Sequence, residues 1–110
     1  MASSRRPLSE RTRPSPAWAD ALRASAHAGL GLVLSDEGRL DEAIAHLEQA
    51  IQLDPGSFEA LNNLGVAYAK AGRFEAAAHY FEQALALDPS HAGARANLDR
   101  ARRMAVSRAS

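Results

Sequence analysis

The tripeptide Leu-Asp-Pro occurs twice in this chain, at residues 53–55 and 87–89. When the sequence is shifted so that Pro55 lies on Pro89, residues 24–57 align with residues 58–91, and about a third of the aligned positions are identical. Two consecutive stretches of this kind indicate one small structural unit that is used twice. Because a single such unit cannot bury its own apolar surface, the two units are expected to stack.

Each unit has the pattern of two helices separated by a glycine. In the second unit, apolar residues and Gly65 recur at i, i+3, i+4 and i+7 from Leu61 to Tyr68, which places them on one face of a helix. Gly38 and Gly72 follow the first helix of their units, where the backbone of a helix end turns left-handed and glycine meets no steric cost. The chain is therefore predicted to be all-α.

Proline marks the end of the second helix in each unit. Pro55 and Pro89 disfavour helical geometry at the aspartate before them and provide no backbone donor. Ser57 and Ser90 follow, and we expect each of them to cap the next helix.

Small residues recur at fixed places within the units. We expect Gly31 and Gly65, on the first helices, to lie against Ala43 and Ala77 on the second helices. Such pairs would bring the helix axes to the short end of the usual range of about 8–10 Å. Two larger residues are expected to fill the gap toward the neighbouring helix: Leu47 and Phe81.

These residues resemble the tetratricopeptide repeat, a family whose units have the same length as the two found here. The second unit matches the pattern of that family almost fully, whereas the first unit has His27 in place of the usual Trp or Leu and Leu34 in place of Tyr. The resemblance implies a right-handed α-α superhelix (solenoid) of two helix-turn-helix repeats. The matching residues of the second unit are Leu61, Leu64, Gly65, Tyr68, Ala77, Phe81, Ala84 and Pro89.

The segments outside the repeats complete the predicted domain organisation. Residues 1–16 are rich in Arg, Ser and Pro and are expected to form a disordered tail, and Ser15-Pro16 suggests an N-cap and a first helical position. We expect one long helix from about 17 to 36, and a capping helix at 92–104 that continues the apolar column of the repeats. The repeat domain then spans 17–104, with repeats at 24–57 and 58–91, and 105–110 form a second disordered tail.

The resemblance implies that the first helix of each repeat, the A helix, lines a concave groove that holds a peptide or protein. Asn62 and Asn63 are two middling helix formers in succession, and their amides offer both a donor and an acceptor to an extended peptide. The carboxylate clamp of the chaperone-binding subgroup is not expected, because Ala28 and Leu32 replace the Lys and Asn that it needs. The predicted partner-binding residues are Leu32, Asn62, Asn63, Val66, Lys70, Asn97, Arg100 and Arg103.

Several classes of function are disfavoured by composition. The chain has no Cys, which excludes a thiolate metal site and a cysteine nucleophile and is compatible with a reducing compartment, so we expect a cytoplasmic location. Its four histidines are scattered, and no phosphate-binding glycine loop is present. No apolar run approaches the about 20 residues of a membrane span. We therefore predict a non-enzymatic interaction module without a cofactor or metal.

Two alternatives remain open at this stage. The exposed apolar ends of so short a stack could pair with a second copy, giving a self-associating homodimer. Trp18 is expected either to cover the open N-terminal face of the stack or to serve as an aromatic anchor for a partner. The other alternative is a nucleic-acid or anionic-surface binder, because residues 1–16 carry four Arg against one Glu and 92–110 carry five Arg against one Asp. Without interleaved aromatic residues these arginines form a weak nucleic-acid footprint.

Overall fold

The computed structural model of the protein describes residues 16–109, and within this range it contains five α-helices and no strand. The two repeat units each supply a helix pair, and the fifth helix follows alone. This architecture confirms the predicted all-α helical solenoid. In chain order the helices are α1 Ala17–Asp36, α2 Leu40–Leu53, α3 Phe58–Lys70, α4 Phe74–Leu87 and α5 Ala92–Ala109.

One glycine turns the chain between the two helices of each pair, as predicted. Gly38 and Gly72 have φ of 83° and 80°, in the left-handed region. At the end of α3 the Gly72 N–H donates to the Ala69 carbonyl at 3.0 Å and the Arg73 N–H donates to the Tyr68 carbonyl at 2.9 Å. These two hydrogen bonds satisfy carbonyls that the helix end would otherwise leave unpaired.

The connections between the pairs begin at Asp54 and Asp88, which are extended residues directly before proline. Ser57 caps α3 as predicted, since its Oγ accepts a hydrogen bond from the Ala60 N–H at 3.1 Å. The predicted cap at Ser90 is wrong. His91 caps α5 instead, because the Ala94 N–H donates to its Nδ1 at 3.1 Å.

The core runs as a column of side chains through the stack. Each helix packs against the next in sequence, and α3 also packs on α1 and α5, the helices at the same position of the neighbouring units. Residues of α3 and α5 at equivalent positions are buried against the preceding unit. They are Ala60, Leu64 and Ala67 on α3 and Ala94, Leu98 and Ala101 on α5, all at most 2% exposed.

Glycine permits the close approach of the two helices in each pair. A Cβ built on Gly31 would lie 2.5 Å from Cγ of Leu47, and one built on Gly65 would lie 2.5 Å from Cε1 of Phe81. Ala43 and Ala77 are fully buried, but the atoms over the two glycines belong to Leu47 and Phe81. The side chain nearest to each glycine is therefore the large one, Leu47 or Phe81, and the expected Gly-to-Ala contact stays a prediction.

The two ends of the domain differ slightly from the predicted bounds. α1 begins at Ala17 with Pro16 at the N-cap position, while the predicted cap Ser15 and the tail 1–15 lie outside the described residues. α5 continues past the predicted end at 104 to Ala109. Arg108 explains the extension, because its guanidinium donates to the Gly72 carbonyl and lies 5.8 Å from the centroid of the Phe74 ring.

Candidate functional site

A cleft of about 280 Å³ opens where α3, α4 and α5 meet. We call it the α3–α5 cleft. α3 and α5 provide its two walls, and two aromatic side chains of α4 line it between them. Its lining residues are Val66, Ala69 and Lys70 from α3, Phe74 and Phe81 from α4, and Asn97, Arg100, Ala101 and Met104 from α5.

Helical spacing brings these residues to one place. On α5 the lining positions from Asn97 to Met104 fall at i, i+3, i+4 and i+7, and those on α3 fall at i, i+3 and i+4, so each set forms one stripe of its helix. Phe81 is 2% exposed, and its ring lies against Gly65 of α3. The missing side chain at that glycine is thus what allows the ring to lie so close to α3.

The cleft combines an apolar lining with positive charge. Lys70 and Arg100 are its charged lining residues, and the lining includes no acidic side chain. Lys70 pairs with Asp36, its equivalent in the first repeat, at 3.1 Å between Nζ and Oδ1. Both side chains are exposed, and an exposed pair contributes only about 0–1 kcal/mol. A ligand anion can therefore compete with Asp36 for the ammonium group.

The structure brings four of the predicted partner-binding residues together at this cleft: Val66, Lys70, Asn97 and Arg100. Arg103 is exposed elsewhere on α5, and Leu32 is 38% exposed on α1; neither lines the cleft. Contact of any of these residues with a partner stays a prediction.

The expectation that Asn63 presents its amide to a peptide is wrong, because this side chain is buried. Asn63 is 8% exposed, and its Nδ2 donates to the Ala28 carbonyl of α1 at 3.4 Å. Asn62 is half-buried, and its Oδ1 is buried without a hydrogen-bond partner among the described residues. Asn63 therefore fixes the position of α3 on α1, and the acceptor of Asn62 is out of reach of a ligand. Asn97, the repeat equivalent of Asn63, is the amide that reaches the cleft.

A family model for the tetratricopeptide repeat matches residues 16–58 and 28–92, which together span well over half of the chain. The chain belongs to the tetratricopeptide repeat family. Repeats of this family generally mediate protein–protein interaction and are typically not enzymatic. No individual curated protein matches the chain at a significant level. None of the described helices is both long and apolar enough to cross a membrane.

Five lining residues of this tetratricopeptide repeat protein are not among the predicted partner-binding residues: Ala69, Phe74, Phe81, Ala101 and Met104. Phe74 begins α4, and Met104 was predicted to be the last residue of the capping helix. Phe74 is the repeat equivalent of Leu40, and its apolar character was visible in the sequence. Its place in the cleft depends on α5, however, whose position the repeat pattern alone does not give.

A second cleft, of about 390 Å³, lies next to the first at the carboxyl end of α5. Gly72, Arg73 and Glu75 line it together with Ala105 and Arg108, and Phe74 and Ala76 complete it. Arg108 already donates to the Gly72 carbonyl, and Arg73 lies 4.7 Å from the centroid of the Tyr68 ring. These cations are engaged within the chain, so this cleft is a poorer candidate for binding a partner.

The titratable groups form no metal cage in the part of the chain that the structure describes. No three His, Asp or Glu side chains come together there as a ligand set. His27 and His46 form a pair with 3.1 Å between their Nδ1 atoms and stacked rings, which joins α1 to α2.

Two side chains have shifted pKa values. Burial is the main cause of the raised pKa of Tyr68, and the hydrogen bond that its hydroxyl donates to Glu48 is the second cause. The hydrogen bond to Glu42 raises the pKa of Arg39.

Proposed function

We propose that this tetratricopeptide repeat protein is a non-enzymatic interaction module whose α3–α5 cleft receives an extended segment of a protein partner. The observation that carries the proposal is the convergence of an apolar lining, one amide and two cations in a single cleft between A-type helices. It is also the place where four residues predicted from the sequence meet. The absence of Cys is compatible with a role in the cytoplasm.

The size of the cleft limits what it can hold. Its volume of about 280 Å³ lies just below the range of about 300–1,000 Å³ of small-molecule pockets. It therefore suits one bulky side chain of a peptide better than a whole cofactor. Phe74, Phe81 and Met104 give this side chain apolar and aromatic contacts, and the thioether of Met104 can adapt to its shape.

The polar groups of the cleft define the neighbours of that anchoring side chain. Asn97 can donate to and accept from the backbone of an extended peptide. Lys70 and Arg100 favour a carboxylate next to the anchor, and charge-assisted hydrogen bonds of this kind are roughly twice as strong as neutral ones. We therefore propose a partner segment with a large apolar residue flanked by Asp or Glu.

A displayed library of random peptides, selected on the full chain, tests this proposal. Enriched peptides are expected to share a large apolar residue beside an acidic one. In titrations of such a peptide, Lys70→Glu and Arg100→Glu should each raise Kd at least about tenfold, which corresponds to about 1.4 kcal/mol. Arg95→Glu is the matched control, because Arg95 is an exposed arginine of the same helix that does not line the cleft.

Two results would contradict the cleft proposal. One is selection of peptides without acidic residues, and the other is equal weakening by Arg95→Glu and Arg100→Glu. The second result would indicate that binding follows the net charge of α5 rather than contact in the cleft. Circular dichroism of each variant establishes that helicity is unchanged.

Self-association is the second candidate function, and an open apolar surface on α1 favours it. Trp18 and Leu22 are 71% and 65% exposed there.

Nucleic-acid binding has less support, because two of the arginines of α5 are engaged within the chain. Arg102 pairs with Glu82 at 2.7 Å, and Arg108 donates to the Gly72 carbonyl. Binding of an unrelated duplex with a steep dependence on salt would reverse that order of preference.

A further inference from the structure

Helix α1 is apolar on two opposite sides. One side packs on the rest of the chain, with Ala24, Ala28 and Leu34 at most 5% exposed. The opposite side carries a second set of apolar residues at helical spacing with no charged residue among them. This set, which we call the α1 stripe, consists of Trp18, Leu22, Ala26, Gly29, Leu30 and Val33. The side of a surface helix opposite the core is normally polar, so an apolar stripe there indicates a further contact.

The repeat shows what the stripe is shaped to contact. Three of its members, Ala26, Leu30 and Val33, are equivalent to the α3 residues that are fully buried against the first unit. The same column is buried again on α5. On α1, however, Leu30 is 43% exposed and Val33 is 52% exposed. A surface that is covered in two successive units is therefore open in the first.

We propose that a second copy of the chain covers the α1 stripe, with the two α1 helices antiparallel about a two-fold axis near Ser25 and Ala26. This inference rests on the proposed self-association and adds its surface, its symmetry and its register. Contact through one self-complementary patch closes on itself and gives a dimer rather than a filament.

The stripe is complementary to itself in this antiparallel register. Leu22 of one copy comes opposite Gly29 of the other, so a large side chain meets a position without one, and Trp18 comes opposite Val33. A Cβ built on Gly29 would meet no atom within 4 Å, so nothing within the described chain requires a glycine there. Glycine weakens a helix interior, and close approach of a second helix supplies a reason for it.

The charges at the ends of the stripe are also complementary. Asp36 lies at the carboxyl end of α1, and the antiparallel register places it near the amino end of the other copy's α1. That end has a positive partial charge, and it has Pro16 at the N-cap without a side-chain hydrogen bond. An acidic residue there stabilises the pair.

Other occupants from the same chain fit the stripe less well. Residues 1–15 contain only Met1 and Leu8 as large apolar side chains, too few to cover it. In a head-to-tail contact, the α1 stripe of one copy would pack on α5 of another copy. That contact would place charged residues of α5 against the apolar stripe. Arg95, Asp99 and Arg102, all exposed, stand where Leu61, Gly65 and Tyr68 stand in the second unit.

The extent of the stripe agrees with a weak to moderate dimer. The exposed parts of four stripe residues amount to on the order of 500 Å² per copy: Trp18, Leu22, Leu30 and Val33. The two copies together therefore bury roughly 1,000 Å², which is the least that a specific interface requires. Dissociation in the micromolar range is the expected consequence.

Sedimentation equilibrium of the full chain between about 1 and 200 µM tests the proposal. The expected mass rises from the 11.7 kDa of one chain to twice that value as concentration increases. Leu22→Glu and Gly29→Leu should each weaken the dimer at least tenfold, with helicity retained because both positions face away from the core. Leu87→Glu is the matched control, an equally drastic change at a leucine that is 48% exposed on α4.

Disulfide trapping tests the register. The chain has no Cys, so Ala26→Cys carries one thiol per copy, and it should form a covalent dimer under mild oxidation because its Cα lies beside the axis. Ala96→Cys, at an exposed position of α5, should not.

The outcomes separate the inference from the function on which it rests. A single-chain mass at all concentrations would overturn both. A dimer that tolerates Leu22→Glu but not Leu87→Glu would leave self-association standing and overturn the α1 interface. A dimer that loses affinity on Leu22→Glu but tolerates Gly29→Leu and is not trapped by Ala26→Cys would overturn the antiparallel register.

Discussion

Replacing Gly65 by alanine tests whether glycine sets the separation of α3 and α4. The added Cβ would lie 2.5 Å from Cε1 and 2.7 Å from Cδ1 of Phe81, closer than carbon atoms can approach. The ring is 2% exposed and lines the α3–α5 cleft, so it can move away from the new methyl group only at the expense of its packing. The helices must therefore separate or the ring must leave its preferred rotamer.

The magnitude follows from two opposing effects. Overpacking of a filled core costs about 1–3 kcal/mol. Alanine is a better helix former than glycine by about 1 kcal/mol, which offsets part of that cost. The expected net effect is destabilisation by up to about 2 kcal/mol, which lowers Tm by up to about 15 °C for a domain of this size.

Thermal unfolding followed by circular dichroism in dilute solution measures this effect. Gly29→Ala is the control, because it is the same substitution in the interior of a helix where a Cβ meets no atom within 4 Å. It should raise Tm, since replacing glycine in a helix stabilises by about 0.5–1 kcal/mol when space allows. A second variant, Gly65→Ala with Phe81→Leu, should recover part of the loss because the smaller side chain leaves room for the new methyl group.

The reasoning would be refuted if Gly65→Ala raised Tm as Gly29→Ala does. That result would show that α3 and α4 can move apart without cost, and that the position of the Phe81 ring in the cleft is not fixed by Gly65.

Three further outcomes follow from contacts on α3 and at the connections. Ser57→Ala should cost about 1 kcal/mol in urea unfolding, because it removes the side-chain cap of α3, whereas Ser90→Ala should change stability by less than half as much. Asn63→Ala should destabilise by about 1 kcal/mol through loss of the bond to α1, and in titrations of a cleft-binding peptide it should leave Kd almost unchanged. Tyr68 has a raised pKa, so the folded state favours its protonated form; this contribution to stability is present below the unfolded-state pKa of about 10 and is lost as pH rises through the folded-state pKa. Tyr68→Phe should lose less stability above pH 10 than the parent, and it should be less stable at neutral pH because it lacks the hydrogen bond to Glu48, as measured by urea unfolding across that range.

Most of the fold was accessible from the sequence because its determinants are local and occur twice. Gly38 and Gly72 end helices through their own backbone conformation, and Pro55 and Pro89 act on the residue directly before them. The one wrong cap also had a local signal. The shift that places Pro55 on Pro89 places Ser57 on His91 rather than on Ser90, and a histidine nitrogen can accept the same hydrogen bond as a hydroxyl oxygen.

The candidate site was predicted less well because it depends on contacts between units. Asn63 and Asn97 are equivalent in sequence, yet Asn63 is buried beneath α1 and Asn97 lines the cleft. Which of the two is reachable depends on how closely the preceding A helix approaches, and the repeat pattern does not encode that distance. Met104 enters the cleft for a similar reason, since α5 continues for another turn beyond it and holds it in place.

The charged outer surface of α5 bears on how such an array can change in length. Arg95, Asp99 and Arg102 are exposed on the outer side of α5, whereas its inner side has the same column of residues that α3 presents. A duplicated whole repeat inserted directly before Ala92 would meet a matching surface on both sides. Growth or shortening by whole repeats inside the stack would therefore leave the contacts of α5 unchanged, so the same helix could follow arrays of many lengths.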